Sequence, residues 1–456
     1  MGTLNEQHWA GDLMSPFSLW EKGRGRGAKL GGSILKPSPQ LSPKGRGSQD
    51  RRNSLCGVET DRRLKLFDER ERQAEVFHSM SEPLSKIPNG LRYYSGQEAR
   101  LRRLIEQTSM SVFEGWSYEE IITPTLDYYS LFERGMGPLE AHQAFRFSDT
   151  DGRLLALRPD VTSAIARVTA TLFANRPRPL RLCYAAPVFR QHGQSTIQWR
   201  RESTQIGCEL VGQDSIASDI EVLAIACEVL RRLHLDTGYV ITLNDVEVFN
   251  GVAESLGFDS GARDQLRQLI DGRNVADLES FLASRASAED GGAISQLIRL
   301  SGKFEALAEA RGVITNVRSI AALDRLENLW RIIESLALTD HFEIDLGDVS
   351  RLDYYTGLTF KVYIEGAGTR VGSGGRYDNL TANFGKSEPA VGFVLDLDVL
   401  AGLLLAGNNA AMLAAPSERK VQRVIDNNDL SALFSEVIER RTRGERVLIS
   451  SGEVTR

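Results

Sequence analysis

Two stretches decide the fold: Leu180-Arg-Leu-Cys-Tyr-Ala-Ala-Pro-Val-Phe-Arg190 and Arg200-Arg-Glu-Ser-Thr-Gln-Ile-Gly-Cys-Glu-Leu-Val211. Each reads as a strand, and a polar loop joins them. Side chains alternate across a strand, so Gln205 and Glu209, four apart, share one face. Upstream, Val161–Phe173 reads as a helix. Phe145–Phe147 and Arg153–Leu157 read as a hairpin around Asp149-Thr150-Asp151-Gly152. Trp116–Pro124 reads as a strand ended by its proline. Before it, Ser95 with Glu98 predicts a capping box that opens a helix, which Gly115 stops. Downstream come a helix over Ser218–Leu233 and a strand over Tyr239–Leu243.

Between 245 and 340 the strand signals vanish. Amphipathic helices follow one another without a fixed period, which predicts a helical insertion and not a repeat array. Strands return at Phe342–Leu346, Leu358–Ile364 and Ala390–Val394, and an apolar helix spans Leu395–Ala406. The rest, 406–456, holds one helix (Leu430–Arg443) and one short strand (Arg446–Ser450), which reads as a remnant too small for its own core.

The chain has 456 residues, 41% of them hydrophobic and 25% charged, an ordinary globular composition. Its most apolar run, Leu400–Ala414, is interrupted by Gly402, Gly407, Asn408 and Asn409. No membrane span and no secretory leader is therefore expected, and a cytoplasmic protein is. Cys56, Cys183, Cys208 and Cys227 have neither zinc nor disulfide spacing and read as free thiols. Six histidines carry no metal motif, and no cofactor is implied. Gly372-Ser-Gly-Gly lacks the Lys-Ser/Thr of a phosphate loop and reads as a tight turn. Residues 1–79 carry 14 lysines and arginines against 10 acids, the remainder 41 against 51. The first part, rich in Gly, Pro and Ser and repeating Lys-Gly-Arg-Gly at 22 and 44, reads as a disordered or non-native extension. Either a basic nucleic-acid tail or a solvated tail without function fits it, and Met80 opens a segment like a normal start. The domains expected are thus 1–79, 80–405 and 406–456.

Three groups of motifs carry a resemblance. They are Trp116–Pro124 with Leu157-Arg-Pro-Asp-Val-Thr162; Val188-Phe-Arg190 with Trp199–Glu209; and Arg351-Leu-Asp-Tyr-Tyr-Thr-Gly357 with Ser373-Gly-Gly-Arg-Tyr-Asp378 and Pro389-Ala-Val-Gly-Phe393. In this order they resemble the class II aminoacyl-tRNA synthetase core, and within it the histidyl-tRNA synthetases, over about residues 88–405. The resemblance implies an α+β fold, an antiparallel sheet flanked by helices, and a dimer formed through the segment ending at Pro124.

A free amino acid presents an ammonium and a carboxylate, and unpaired buried charge is costly. Asp160, Thr162, Gln205 and Glu209 supply acceptors, and Arg190 can pair with the carboxylate as a fork. The resemblance places those acceptors on the ammonium and side chain of histidine and closes Tyr354 and Tyr355 over the imidazole. Ion pairing of Asp160 and Glu209 with arginines such as Arg158, and core packing of Tyr355, are the plainer alternatives.

The departures fall on ATP and tRNA handling. Arg190-Gln191-His192 stands where synthetases have Arg-x-Glu, Ser350-Arg351 where they have Arg-Gly, and Asp398 where the family pattern puts a triphosphate-binding arginine. A carboxylate there would repel the nucleotide. An αβ anticodon-binding domain is absent or reduced. Retained histidine recognition with lost adenylation resembles the regulatory subunits of ATP phosphoribosyltransferase. That resemblance implies a non-catalytic partner of a short-form catalytic subunit, acting in the first step of histidine biosynthesis and its feedback by L-histidine, as a homodimer within a hetero-oligomer, with tRNA not a partner. A divergent histidyl-tRNA synthetase is the alternative. A third reading, another synthetase paralogue such as a sensor or a tRNA-independent ligase, would still need an ATP site.

Overall fold

The computed structural model describes residues 86–191, 200–236, 238–272, 274–349, 354–407, 422–425, 430–445 and 447–450. The extension over 1–79, Cys56, His192, Ser350 and Arg351 lie outside the described residues.

Helix α1 (Gly96–Gly115) buries Leu101, Ile105, Val112 and Phe113. The expected capping box does not form. Ser95 makes no side-chain cap bond, and Glu98 instead accepts from Arg92 Nη2 on both of its oxygens, at 2.9 and 3.1 Å. Strand β1 is only Glu119–Glu120, running parallel to β5 (Leu180–Phe189). The longer strand expected over Trp116–Pro124 is cut short: past Ile121, whose amide still donates to Cys183, the chain leaves β5, and Arg158 takes the Thr123 carbonyl at 2.7 Å. The apolar Ile122 is 87% exposed. The hairpin forms as expected, β3 (Arg146–Ser148) against β4 (Leu154–Leu157), and β2 (Leu126–Tyr128) joins it in a three-stranded sheet. Gly152 takes the turn with φ +80, a region that a Cβ disfavours. Helices α2 (Tyr129–Met136), α3 (Pro138–Ala141) and α4 (Thr162–Ala170) lie in sequence around this small sheet.

Strand β5 pairs antiparallel with β6 (Glu202–Val211) along its whole length, from Leu180 opposite Val211 to Phe189 opposite Glu202. Helix α5 (Ile216–Arg232) follows, N-capped by Ser215, and then β7 (Tyr239–Asp245). Six helices run from α6 to α11: Val246–Ser255, Ser260–Asp271, Val275–Arg285, Ala288–Leu297, Glu305–Val313 and Val317–Ser335. One strand signal was missed among them: β8 (Ser301–Gly302) pairs with β9 (Phe342–Asp345). Two residues are too few for alternation to register.

The larger miss is β11 (Arg370–Arg376), read as a tight turn and found as an interior strand between β10 (Leu358–Ile364) and β12 (Ala390–Asp396). Its glycines are where neighbours crowd the backbone. A Cβ on Gly374 would lie 2.5 Å from the Phe360 and Phe393 side chains, and one on Gly375 2.7 Å from the Tyr355 ring. Helix α12 (Leu397–Ala406) closes the series, with Asp396 as N-cap. Among the described residues the large sheet has nine strands in the order β1-β5-β6-β12-β11-β10-β7-β9-β8.

The sheet has two unlike faces. Ile206, Cys208, Leu210, Phe360 and Phe393 point into the main core, which α1, α5, α11 and α12 complete. Burying each such side chain is worth about 1.5–3 kcal/mol. The opposite face carries Gln205 and Glu209, and much of it is left open. Toward the end of the chain, β13 (Gln422–Ile425), α13 (Leu430–Thr442) and β14 (Val447–Ser450) form a β–α–β unit with parallel strands.

Candidate functional site

The open face is a floor of polar residues and glycines. On β6, Gln205, Gly207 and Glu209 point the same way. Their partners on β12 are Asp396, Val394 and Gly392, and on β5 Ala186, Tyr184 and Leu182. A cavity of about 640 Å³ stands over it, and Asp160, Thr162, Arg190, Gln205, Glu209, Tyr354 and Tyr355 all belong to its wall. Residues as far as 195 positions apart in sequence thus line one cavity.

Glu209 is 1% exposed and accepts three hydrogen bonds. Thr162 and Tyr184 donate to Oε1, each at 3.0 Å, and Tyr377 donates to Oε2 at 2.6 Å. Burial pushes its carboxyl up to about 7 against the pull of these donors, and the nearby Asp160 charge adds to the rise. The same burial, with Glu209 beside them, holds the Tyr184 and Tyr377 hydroxyls well above their ordinary range.

Asp160 is the opposite case. It is 5% exposed, and among the described residues neither carboxylate oxygen has a hydrogen-bond partner. Ser163 lies near enough to favour the charged form, but its hydroxyl is itself unpartnered. Burial raises the Asp160 carboxyl, with Ser163 and Arg190 opposing. Gln205 Oε1 is a third buried acceptor without a donor. Arg190 donates from Nε to the Pro159 carbonyl at 3.0 Å, and its pKa is lowered by burial against the pull of Asp160. An unpaired buried acceptor costs about 1–3 kcal/mol, so acceptors with Ser163 and Arg190 close by but unbonded are suited to take donors from a ligand. The alternative of ion pairs to Arg158 is overturned. That guanidinium goes to Thr123 and to the carbonyl of Pro187, not to Asp160 or Glu209.

A pH dependence follows from Glu209. Its folded pKa, about 7, lies above its ordinary 4.5. The stability it contributes is therefore present below about pH 4.5 and is lost as pH rises through 7, about 3 kcal/mol in all. The Glu209→Gln variant is expected to lose less melting temperature than the parent between pH 5 and pH 8, read by thermal unfolding. Equal slopes would show that Glu209 is not the titrating group.

Tyr354 and Tyr355 are partly buried, and their ring centroids lie 4.8 Å apart. Both pack against the cluster around Val161, Tyr184 and Tyr377, so packing and cavity lining are the same contact seen from two sides. Reading the sequence missed Tyr184, Tyr377 and Gly392. Tyr377 sits inside the quoted Ser373–Asp378 motif, a signal that was available. Gly392 sits inside the quoted Pro389–Phe393 motif, but only the strand register reveals that a Cβ there would overlap Glu209 Oε2.

The departures look different in three dimensions. Asp398 does not face the cavity as a repulsive carboxylate. Its side chain is fully buried, and it accepts from Arg102 at 2.6 Å, from Tyr94 at 2.5 Å and from the Thr204 amide at 2.9 Å. Arg200 Nη1 is 2.7 Å away, in ion-pair contact without hydrogen-bond geometry. Burial would raise the Asp398 carboxyl, but Arg102 and the other donors hold it below its usual value. Asp398 therefore neutralises Arg102 and Arg200, the latter still in the cavity wall, instead of facing the cavity as an unpaired anion. Gln191 is occupied too, donating from its amide to Gln143 and from its side chain to Ala144.

A model of the histidyl-tRNA synthetase family matches residues 90–400. A solved structure described as an ATP phosphoribosyltransferase regulatory subunit/histidyl-tRNA synthetase from Bacillus halodurans superposes with a TM-score of 0.71 at 27% identity, over 82% of this chain and 95% of that one. The ATP phosphoribosyltransferase regulatory subunit of Moorella thermoacetica is 34% identical over 365 residues, 80% of this chain and 92% of its own. The chain belongs to the family of ATP phosphoribosyltransferase regulatory subunits. Another such regulatory subunit, from Symbiobacterium thermophilum, is 38% identical over 341 residues, 74% of this chain and 84% of its own. Membership of this family accords with the fold described above, an α+β sheet flanked by helices. No described helix is long and apolar enough to cross a membrane. Among the described residues no His, Cys, Asp and Glu group is placed to hold a metal. Cys183, Cys208 and Cys227 are buried free thiols.

Proposed function

We propose that this chain is the cytoplasmic regulatory subunit of a short-form ATP phosphoribosyltransferase, that its cavity takes L-histidine, and that it does not itself aminoacylate tRNA. The observation that carries the histidine reading is the pair of unlike buried carboxylates. Asp160 with Gln205 Oε1 offers three unpartnered acceptors, which suit a three-donor ammonium. Glu209, already holding three hydroxyl donors, keeps one acceptor position for a single ring N–H. Arg190 is the cation for the ligand's carboxylate, and Tyr354 and Tyr355 supply ring faces for an imidazole. Loss of aminoacylation is supported by Asp398, which engages Arg102 and Arg200 where the family pattern has a triphosphate-binding arginine.

The regulation is thermodynamic. Histidine must bind the active and the inhibited assembly differently, and the partner must then change histidine affinity by the same factor. A homodimer is supported by one face of the small sheet, where Leu126 and Tyr128 on β2 and Phe147 on β3, the two strands that flank β4, are 41–44% exposed. Such contiguous apolar surface is what subunit contacts cover. Light scattering on the isolated chain reads the dimer directly, and a monomer would remove that part.

The deciding experiment is turnover by a short-form catalytic subunit with and without this chain. Activity is expected only with the chain, falling on addition of histidine. No effect on turnover, with histidine-dependent ATP–pyrophosphate exchange by the chain alone, would replace this reading by the synthetase one.

A further inference from the structure

The strands that floor the amino-acid cavity have a second cavity beside them, of about 570 Å³, and one short junction belongs to both. Tyr354, Tyr355 and Tyr377 are in the wall of the first. Their chain neighbours Thr356, Arg376 and Asp378 are in the wall of the second. The two segments are bonded to each other. The Thr356 amide donates to the Arg376 carbonyl at 2.8 Å, and the Asp378 amide donates to the Thr356 hydroxyl at 2.9 Å.

Arg376 never reaches the amino-acid cavity, yet it is the most heavily anchored residue of the junction. Its side chain is 9% exposed. It donates to Asp219 from Nη2 at 2.7 Å and from Nε at 3.2 Å, and to the Ser215 carbonyl at 3.2 Å. From Nη1 it also reaches Asp378 at 3.2 Å and Asp214 at 3.4 Å. Asp219 and Ser215 belong to α5 and its cap, so a helix in the main core grips the end of β11. One residue further on, Tyr377 donates to Glu209. Its ring centroid stands 5.9 Å from that of Tyr354, which stands 4.8 Å from that of Tyr355. A shift of the strand end would move all three tyrosines together, because packed side chains transmit displacement.

We propose that Arg376 and Asp219 are positioning residues for the amino-acid cavity: their ion pair, acting through Thr356, holds Tyr377, Tyr354 and Tyr355 in place over Glu209. The inference rests on the reading that this cavity takes histidine. It assigns the pair no contact with the ligand, and its action runs through one backbone hydrogen bond and one from the Asp378 amide to the Thr356 hydroxyl.

The test is calorimetric titration of the full chain with L-histidine, using the parent, Asp219→Asn, Thr356→Val and the double variant. Thr356→Val touches no charge and keeps the side-chain shape, so it answers the question even if Asp219→Asn folds poorly. Each single change is expected to weaken binding about tenfold, and the pair together by little more than either, since residues acting through one junction are not additive. Asp219→Glu, which keeps the charge, is expected to recover most of the affinity. The histidine-induced tyrosine difference spectrum should shrink in step with binding in the weakened variants, a signal that plain loss of stability would not alter in the folded fraction. Unchanged affinity in Thr356→Val, or losses that multiply to about a hundredfold in the double variant, would overturn the proposal. If the parent chain itself binds no histidine, the reading of the cavity has failed, and the positioning role falls with it.

Discussion

The Asp398→Ala variant is expected to be destabilised by about 3–5 kcal/mol, because removing one member of a buried ion pair leaves the others charged and unmatched. Asp398 is the common acceptor for Arg102, Tyr94 and the Thr204 amide, with Arg200 in contact. These groups come from the segment before α1, from α1 itself and from the start of β6, so the loss loosens three elements at once. For a chain of this size the melting temperature should fall by roughly 10 °C. Asp398→Asn keeps an acceptor for Tyr94 and Thr204 and should lose about half as much. Asp398→Arg, which restores the residue the synthetase pattern expects, should be worse than alanine, since it would add a third cation beside Arg102 and Arg200. Asp398 is held below its ordinary pKa, so its contribution is present above about pH 4 and is lost as pH falls below that. Melting of Asp398→Ala within 2 °C of the parent would show that the cluster contributes nothing to stability.

Glu209→Ala is expected to abolish thermal stabilisation by histidine. Ligand at a hundred times its Kd stabilises a folded protein by about 2.7 kcal/mol, and that entire increment should disappear. Gly392→Ala is expected to do the same without touching a polar group, because its methyl would occupy the place of Glu209 Oε2. The pair of variants separates the carboxylate from its chemistry: one removes it, and the other displaces it. Differential scanning fluorimetry with and without millimolar histidine reads both. Undiminished stabilisation in Glu209→Ala would put the histidine site elsewhere.

What could be read from the sequence was what depends on near neighbours. Strands β5 and β6 were legible as two strand-forming runs joined by a polar loop, and the two-residue period of a strand put Gln205 and Glu209 on one face. The hairpin around Gly152 was legible from its turn residues. Strand β11 was not, because Gly372, Gly374 and Gly375 carry no propensity for a strand. What makes them strand residues is the crowding by Phe360, Phe393 and Tyr355, all distant in sequence. The same holds for charge. Asp398 was visible as an oddity, but its partners Arg102 and Tyr94 lie about 300 positions away. The sign of its effect, neutralising instead of repelling, was therefore beyond the motif. Tyr184 entered the site only through the register of β5 against β6, a long-range fact.

The floor of the cavity has a consequence for how such a site can change over generations. Where Gly207, Gly375 and Gly392 lie there is backbone and nothing else, and a Cβ on any of them would collide with Tyr184, Tyr355 or Glu209. Every substitution at these positions adds atoms. Point mutation can make the chamber shallower, but no single change there can make it deeper. Descendants of this sequence are thus free to drift toward smaller ligands or toward none. Room for a larger one has to come from the walls, such as Tyr354 and Tyr355, or from movement of the strands themselves.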